Sequence, residues 1–75
     1  MGTPAYQIVI DHITAGIDAG LYPRGTWLPT IAKLAEITGT SQTSVKTALL
    51  LLNQHGVVRG QQGKGSLVVG GPPER

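Results

Sequence analysis

The sequence contains no cysteine, few charges and no long apolar run. Without cysteine, the chain can form neither disulfide bonds nor zinc sites built from thiolates. No apolar run approaches the ~20 residues of a membrane-spanning helix, and the first residues, Met1 to Pro4, lack the basic segment of a secretory signal. These absences favour a soluble, cytoplasmic protein without membrane contact.

Acidic residues are missing from most of the C-terminal half. The chain carries six basic and four acidic residues, which gives a net charge of +2 at pH 7. No acid lies between Ile37 and Pro73, whereas Lys46, Arg59 and Lys64 do. A stretch of one sign is expected of a surface that contacts phosphates, although chance also produces such stretches in a chain with few charges.

The chain offers little room for catalysis. Its 75 residues form one domain at most, which is small for a core together with a deep catalytic cleft. Asp11 and His12 are adjacent on a predicted helix, where neighbouring side chains do not face each other. His55 lies at a helix end, and neither histidine has a second ligand at metal-binding spacing. We therefore predict no enzymatic activity, no metal site and no cofactor.

The N-terminal region predicts a helix followed by a connector. Thr3 as N-cap and Pro4 as first helical residue are typical of a helix start, and Gly20 is a typical stop. The apolar face consists of Tyr6, Val9, Ile10, Ile13 and Ile17. In the connector at 21–29, the segment around Trp27 is compatible with a very short strand, and Trp27 itself is expected to pack beside it.

Two further helices have the spacing of a helix-turn-helix. The second is predicted over Thr30 to Thr38 and ends at Gly39. The third is capped by Thr40 or Ser41 and runs to about His55. A turn of about three residues between two such helices is the helix-turn-helix pattern.

A β-hairpin is predicted after the third helix. Two β-branched runs, at 57–59 and 66–69, flank a polar, glycine-rich tip at 60–65. The fold class is therefore mainly α with a small β-hairpin, a winged helix-turn-helix with three helices and a two-stranded wing. We assign residues 1–69 to this domain and 70–75 to a linker or tail.

The start of the third helix is polar and free of carboxylates. Ser41 to Ser44 are hydroxyl and amide residues, and no acid occurs from Ser41 to Gln54. Such side chains, with the free N–H groups of the first turn, can contact phosphates or base edges. The same residues also occur as simple helix caps; we assign that role to Ser41 and contact roles to Thr43 and Lys46.

The order of these elements and their short motifs resembles the GntR family of bacterial transcription regulators, over Tyr6 to Val69. The matching segments are Tyr6-Gln7-Ile8; Ile17 to Gly20 with Leu21, Pro23 and Gly25; Leu28-Pro29-Thr30; Leu34-Ala35; Gly39-Thr40-Ser41; Thr43-Ser44-Val45; Ala48-Leu49; Leu52; Gly56-Val57-Val58; and Gly63-Lys64-Gly65-Ser66. Each segment alone is a weak signal, but their common order and spacing are specific.

The resemblance implies sequence-specific binding of a double-stranded DNA operator by a transcription regulator, which we expect to be a repressor. It places the third helix in the major groove and the wing in the minor groove. The expected DNA contacts are Thr30, Lys33, Gln42, Thr43, Ser44, Lys46, Arg59, Gln62, Gly63 and Lys64. A functional homodimer is also expected, because two-fold operators need two copies.

The chain departs from the family at several contact positions. The family usually has arginine at Ala32 and Gln42, and often at Lys46. The contact face is therefore less basic than usual. Because glutamine can bind adenine with two hydrogen bonds whereas arginine suits guanine, we predict a shifted target sequence.

Four consecutive leucines, at 49–52, cannot all face one core at ~100° per residue. Leu50 and Leu51 are predicted to point outward, either as contacts for a partner, another subunit or the wing, or as ordinary surface apolar residues. These leucines and the low charge keep a second hypothesis open, a winged-helix module for protein–protein interaction with weak or no DNA binding. In family members an effector-binding, dimerising domain follows the wing, so a small-molecule effector is expected to act only through a domain outside these 75 residues, whether they are an excised domain or a short protein.

Overall fold

The computed structural model describes residues 2–61 and 65–70. In these residues the chain forms, in order, α1 (Ala5–Asp18), α2 (Ile31–Thr38), α3 (Gln42–Gln54), β1 (Val58–Gln61) and β2 (Gly65–Val68). The mainly helical fold with one antiparallel hairpin is the predicted one. In the described part of the chain, no helix combines the length and apolar character needed to cross a bilayer.

The start of α1 differs from the prediction by one residue. Pro4, rather than Thr3, is the N-cap residue, with φ −57° and ψ 145°, and no side chain caps the helix. The Pro4 carbonyl accepts hydrogen bonds from the N–H groups of Gln7 at 2.9 Å and Ile8 at 3.3 Å. The extended ψ of Pro4 holds it outside the helix, so the first helical residue is Ala5.

The core lies where α1, α3 and the base of the hairpin meet. Its buried apolar residues are Val9, Ile13, Tyr22, Leu28, Leu34, Ala35, Val45, Ala48, Leu52, Val57, Val58 and Val68. Tyr6, Ile10, Ile17, Ile31 and Leu49 pack against this cluster while remaining partly exposed. The apolar face predicted for the first helix is therefore confirmed.

The helix-turn-helix is formed by α2, a short turn and α3. Thr30 is the N-cap of α2, one residue before the helix proper, and its hydroxyl accepts a hydrogen bond from the Lys33 N–H at 3.1 Å. Gly39 ends α2 with φ 68°, a left-handed conformation that favours glycine. Ser41 caps α3 two residues later. The short connection from Gly39 to Ser41 therefore sets the position of the N-terminus of α3 relative to α2.

The connector pairs with the hairpin as a third chain segment. β1 and β2 pair in antiparallel register, with Val58 opposite Val68. On the other edge of β2, the Leu28 N–H donates to the Ser66 carbonyl at 2.8 Å, and an isolated bridge joins Trp27 to Leu67. This isolated bridge stands in place of the short strand predicted near Trp27, and Trp27 is 46% exposed, more than the predicted packing role implies.

The hairpin leads back to the end of α3. The N–H groups of Val69 and Gly70 both donate to the Val57 carbonyl at 3.0 Å. Gly70, which we assigned to the linker, therefore contacts the domain, while the remaining residues of that assignment, 71–75, lie outside the described part of the chain.

Candidate nucleic-acid interface

The first turn of α3 separates capping side chains from free ones. The Ser41 hydroxyl accepts a hydrogen bond from the Ser44 N–H at 3.1 Å and lies 3.0 Å from the Ser44 hydroxyl. Gln42 and Thr43 are exposed, and within the described residues neither side chain has a hydrogen-bond partner. The Gln42 amide and the Thr43 hydroxyl are thus open to a ligand, whereas the Ser44 hydroxyl is engaged by the cap.

One exposed stripe runs along α3 from this first turn. Thr43, Lys46 and Leu50 follow each other at spacings of three and four residues, which places them on one side of a helix. All three are exposed, and Leu50 is 59% exposed. The opposite side of α3 carries the buried Val45, Ala48 and Leu52. The stripe is therefore the outward side of the second helix of the helix-turn-helix.

Lys33 of α2 is also exposed but is paired. Its Nζ lies 3.3 Å from Oε1 of Glu36, one turn along the same helix. Both side chains are well exposed, and exposed ion pairs of this kind are weak. Lys33 can therefore exchange Glu36 for a phosphate, although the adjacent carboxylate lowers the local positive charge. Thr30, the other predicted contact on α2, holds the helix cap with its hydroxyl.

The wing contributes one described cation. Arg59 is exposed on β1, in register with Leu67 of β2. Three predicted contacts at the wing tip, Gln62, Gly63 and Lys64, lie outside the described residues. The described predicted contacts thus lie on α2 and its N-cap, on α3 and on β1, and the role of every predicted contact remains a prediction.

Two of the three described carboxylates lie on α1, and the third, Glu36, pairs with Lys33 on α2. Asp11 and Asp18 lie on the solvent side of α1, where they line a shallow groove with Thr14 and Ala15. The buried Val9 and Ile13 are on the other side of that helix. Among residues 2–61 and 65–70, no three His, Asp or Glu side chains approach closely enough to hold a metal ion.

The prediction of an exposed leucine pair is wrong for Leu51. Leu51 is partly buried, so the exposed pair reduces to Leu50. The reason is that α3 packs against α1, α2 and β1, which cover a wider arc of the helix than one apolar stripe. Sequence reasoning also missed the Lys33–Glu36 pair, although its spacing of three residues is a readable signal.

Three helices, with the last two joined by a short turn and followed by an antiparallel hairpin, define a winged helix-turn-helix protein. Residues 5–68 match the family model described as bacterial regulatory proteins, gntR family. The chain belongs to this family, a class of DNA-binding regulators rather than enzymes. A search of curated protein sequences finds no match.

Solved structures share the fold over nearly the whole chain. The DNA-binding domain of AraR in complex with operator ORR3 has a TM-score of 0.85 and 26% identity, over 92% of this chain and 83% of that chain. The same domain in complex with operator ORX1 has a TM-score of 0.84 and 26% identity, over 91% and 82% of the two chains. A GntR family transcriptional regulator from Listeria monocytogenes has a TM-score of 0.85 at 22% identity, over 91% of this chain and 60% of that one, which shows the fold alone.

Proposed function

We propose that this chain binds double-stranded operator DNA sequence-specifically as the DNA-binding part of a transcription regulator, with α3 in the major groove and the wing at the minor groove. The observation that carries the proposal is the exposed, carboxylate-free side of α3, on a fold shared with AraR domains in complex with operators. Membership of the gntR family supports the same role.

The chemistry of α3 suits a groove lined with phosphates. The major groove of B-DNA, about 12 Å wide, admits one helix. Gln42 and Thr43 offer an amide and a hydroxyl to base edges, and Lys46 offers a cation to a phosphate or to guanine. Because α3 carries no acidic side chain, it can enter the groove without charge repulsion.

A single copy of the domain is expected to bind DNA weakly. The cations assigned to DNA are Lys33, Lys46, Arg59 and Lys64, and Lys33 is shared with Glu36. We therefore propose that two copies of the protein bind a two-fold operator. The regulator is proposed to act as a repressor in the cytoplasm. Any small-molecule effector is proposed to act through a domain beyond these residues.

Gln42 is proposed as a base reader, which selection experiments can test. Bound sequences are selected from random duplexes with the wild type and with Gln42→Arg. The wild type should prefer adenine at one half-site position by about tenfold, and Gln42→Arg should shift that position to guanine. Gln7→Arg is a matched control, because it makes the same change on α1 rather than on α3.

The outcomes of this selection separate two failures. If Gln42→Arg selects the wild-type sequence, Gln42 does not read a base. If the wild type enriches no sequence, the proposal of sequence-specific binding is wrong.

The protein-interaction hypothesis rests on the low net charge and on the 59% exposure of Leu50. A module of that kind would show no salt-dependent affinity for duplex DNA. Leu50 also admits an explanation within DNA binding, which leads to a more specific inference.

A further inference from the structure

We propose that Leu50 belongs to the base-reading surface and contacts the C5-methyl group of a thymine in the major groove. The inference rests on the proposed DNA-binding function and adds a feature of the target sequence to it. It replaces the interpretation of Leu50 as a contact for a protein partner.

Leu50 lies on the same side of α3 as Thr43 and Lys46. Leu50 is seven residues after Thr43, so it returns to within about 20° of the same direction, about 10 Å further along the helix. Lys46 lies between them, one turn from each. If Thr43 and Lys46 face the bases and phosphates of the groove, then Leu50 faces the groove as well.

The surroundings of Leu50 favour DNA over a protein surface. Its neighbours one turn away on α3 are polar, namely Lys46, Thr47 and Gln54. The adjacent Leu51 is partly buried, and Leu49 and Leu52 pack towards the core. The centre of a protein interface is usually apolar and depleted of charge. One exposed leucine in a polar surround instead suits a partner with an isolated apolar group among hydrogen-bonding groups.

An A·T pair presents this combination in the major groove. Thymine carries its C5-methyl group next to the O4 acceptor, and apolar side chains contact that methyl in direct readout. The length of α3 between Thr43 and Leu50 corresponds to about three base-pair steps. The thymine is therefore expected within about three base pairs of the position that Gln42 reads.

Deoxyuridine provides the test, because it removes the C5-methyl and leaves base pairing intact. The selected duplex is compared with duplexes in which each thymine in turn is replaced by deoxyuridine, and dissociation constants are measured by fluorescence anisotropy. At one position the wild type should lose about fourfold in affinity, as expected for one buried methyl group. Leu50→Ala should bind the thymine and deoxyuridine duplexes equally at that position.

A matched control is Leu21→Ala. Leu21 is 63% exposed but lies in the connector after α1, off the α3 stripe. This variant should keep the wild-type discrimination. Alanine is the best helix former, so Leu50→Ala is expected to leave α3 folded, which circular dichroism verifies.

Three results would overturn the inference: a wild type indifferent to every replacement, a Leu50→Ala variant that keeps the discrimination, or a selected half-site without A·T pairs. All three leave sequence-specific DNA binding intact. Failure of the wild type to enrich any duplex would instead refute the proposed function itself.

Discussion

At the scale of single residues, hydroxyl groups at similar positions have different uses. Ser41 and Thr30 each hold the N-terminus of a helix, and a lost cap of this kind costs about 1 kcal/mol. The Thr43 hydroxyl caps no helix and is available to bind DNA. Tyr22 is a third case, because its hydroxyl lies 2.8 Å from His12 Nε2 beneath the connector.

The Tyr22 hydroxyl should make stability fall at alkaline pH. Burial raises the pKa of Tyr22 above 10.0, so the folded state favours the neutral phenol. The resulting stabilisation is present below pH 10 and is lost as the pH rises through the folded-state pKa. Tyr22→Phe should lower the free energy of unfolding by about 1 kcal/mol at pH 7, through the lost hydrogen bond, and lose less stability than the wild type from pH 9 to 11. Urea unfolding measures both effects.

The control for this prediction is Tyr6→Phe, which leaves the His12–Tyr22 hydrogen bond in place. It should retain the alkaline loss of the wild type. An equal alkaline loss in Tyr22→Phe and the wild type would show that Tyr22 does not contribute.

At the scale of elements, α1 and the connector are joined by a close contact. A Cβ added to Gly16 would lie 2.5 Å from Cδ2 of Tyr22. The Leu21 and Tyr22 N–H groups both donate to the Gly16 carbonyl, at 2.7 and 3.1 Å. This contact fixes the path of the connector towards the segment that pairs with β2.

Gly16→Ala should therefore destabilise the domain by about 1 to 3 kcal/mol, the usual cost of overpacking. Gly60→Ala is the matched control, because a Cβ at Gly60 meets no atom of the described residues within 4 Å. Thermal unfolding compares the two variants. An unchanged melting temperature for Gly16→Ala would mean that the Tyr22 ring moves aside without cost.

The elements themselves were predictable because their signals are local. Gly39 and Ser41 mark the turn of the helix-turn-helix, and their conformations match those roles. The Gly16–Tyr22 contact and the partial burial of Leu51 were not predictable, because each depends on which element packs alongside. The spacing of Thr43, Lys46 and Leu50 in the sequence predicts that they share one side of α3. That Leu50 stays exposed there could be known only from how the other elements pack against α3.

At the scale of the whole molecule, charge is separated more than its net value suggests. Asp11 and Asp18 lie on α1, while Lys46 and Arg59 lie on α3 and the wing. A net charge of +2 is small for a DNA-binding domain, so we expect this arrangement, rather than the total, to favour the proposed orientation of the domain on DNA.

The dependence of DNA affinity on salt tests the central claim most directly. With Lys33, Lys46, Arg59 and Lys64 engaged, the logarithm of the binding constant for random duplex DNA should fall with the logarithm of salt concentration at a slope of roughly −3 to −4. Lys46→Gln should make this slope shallower by about 0.9. Asp18→Asn, which changes the charge by one unit in the opposite direction on α1, should leave it unchanged. A flat profile, or no binding at low salt, would contradict the account.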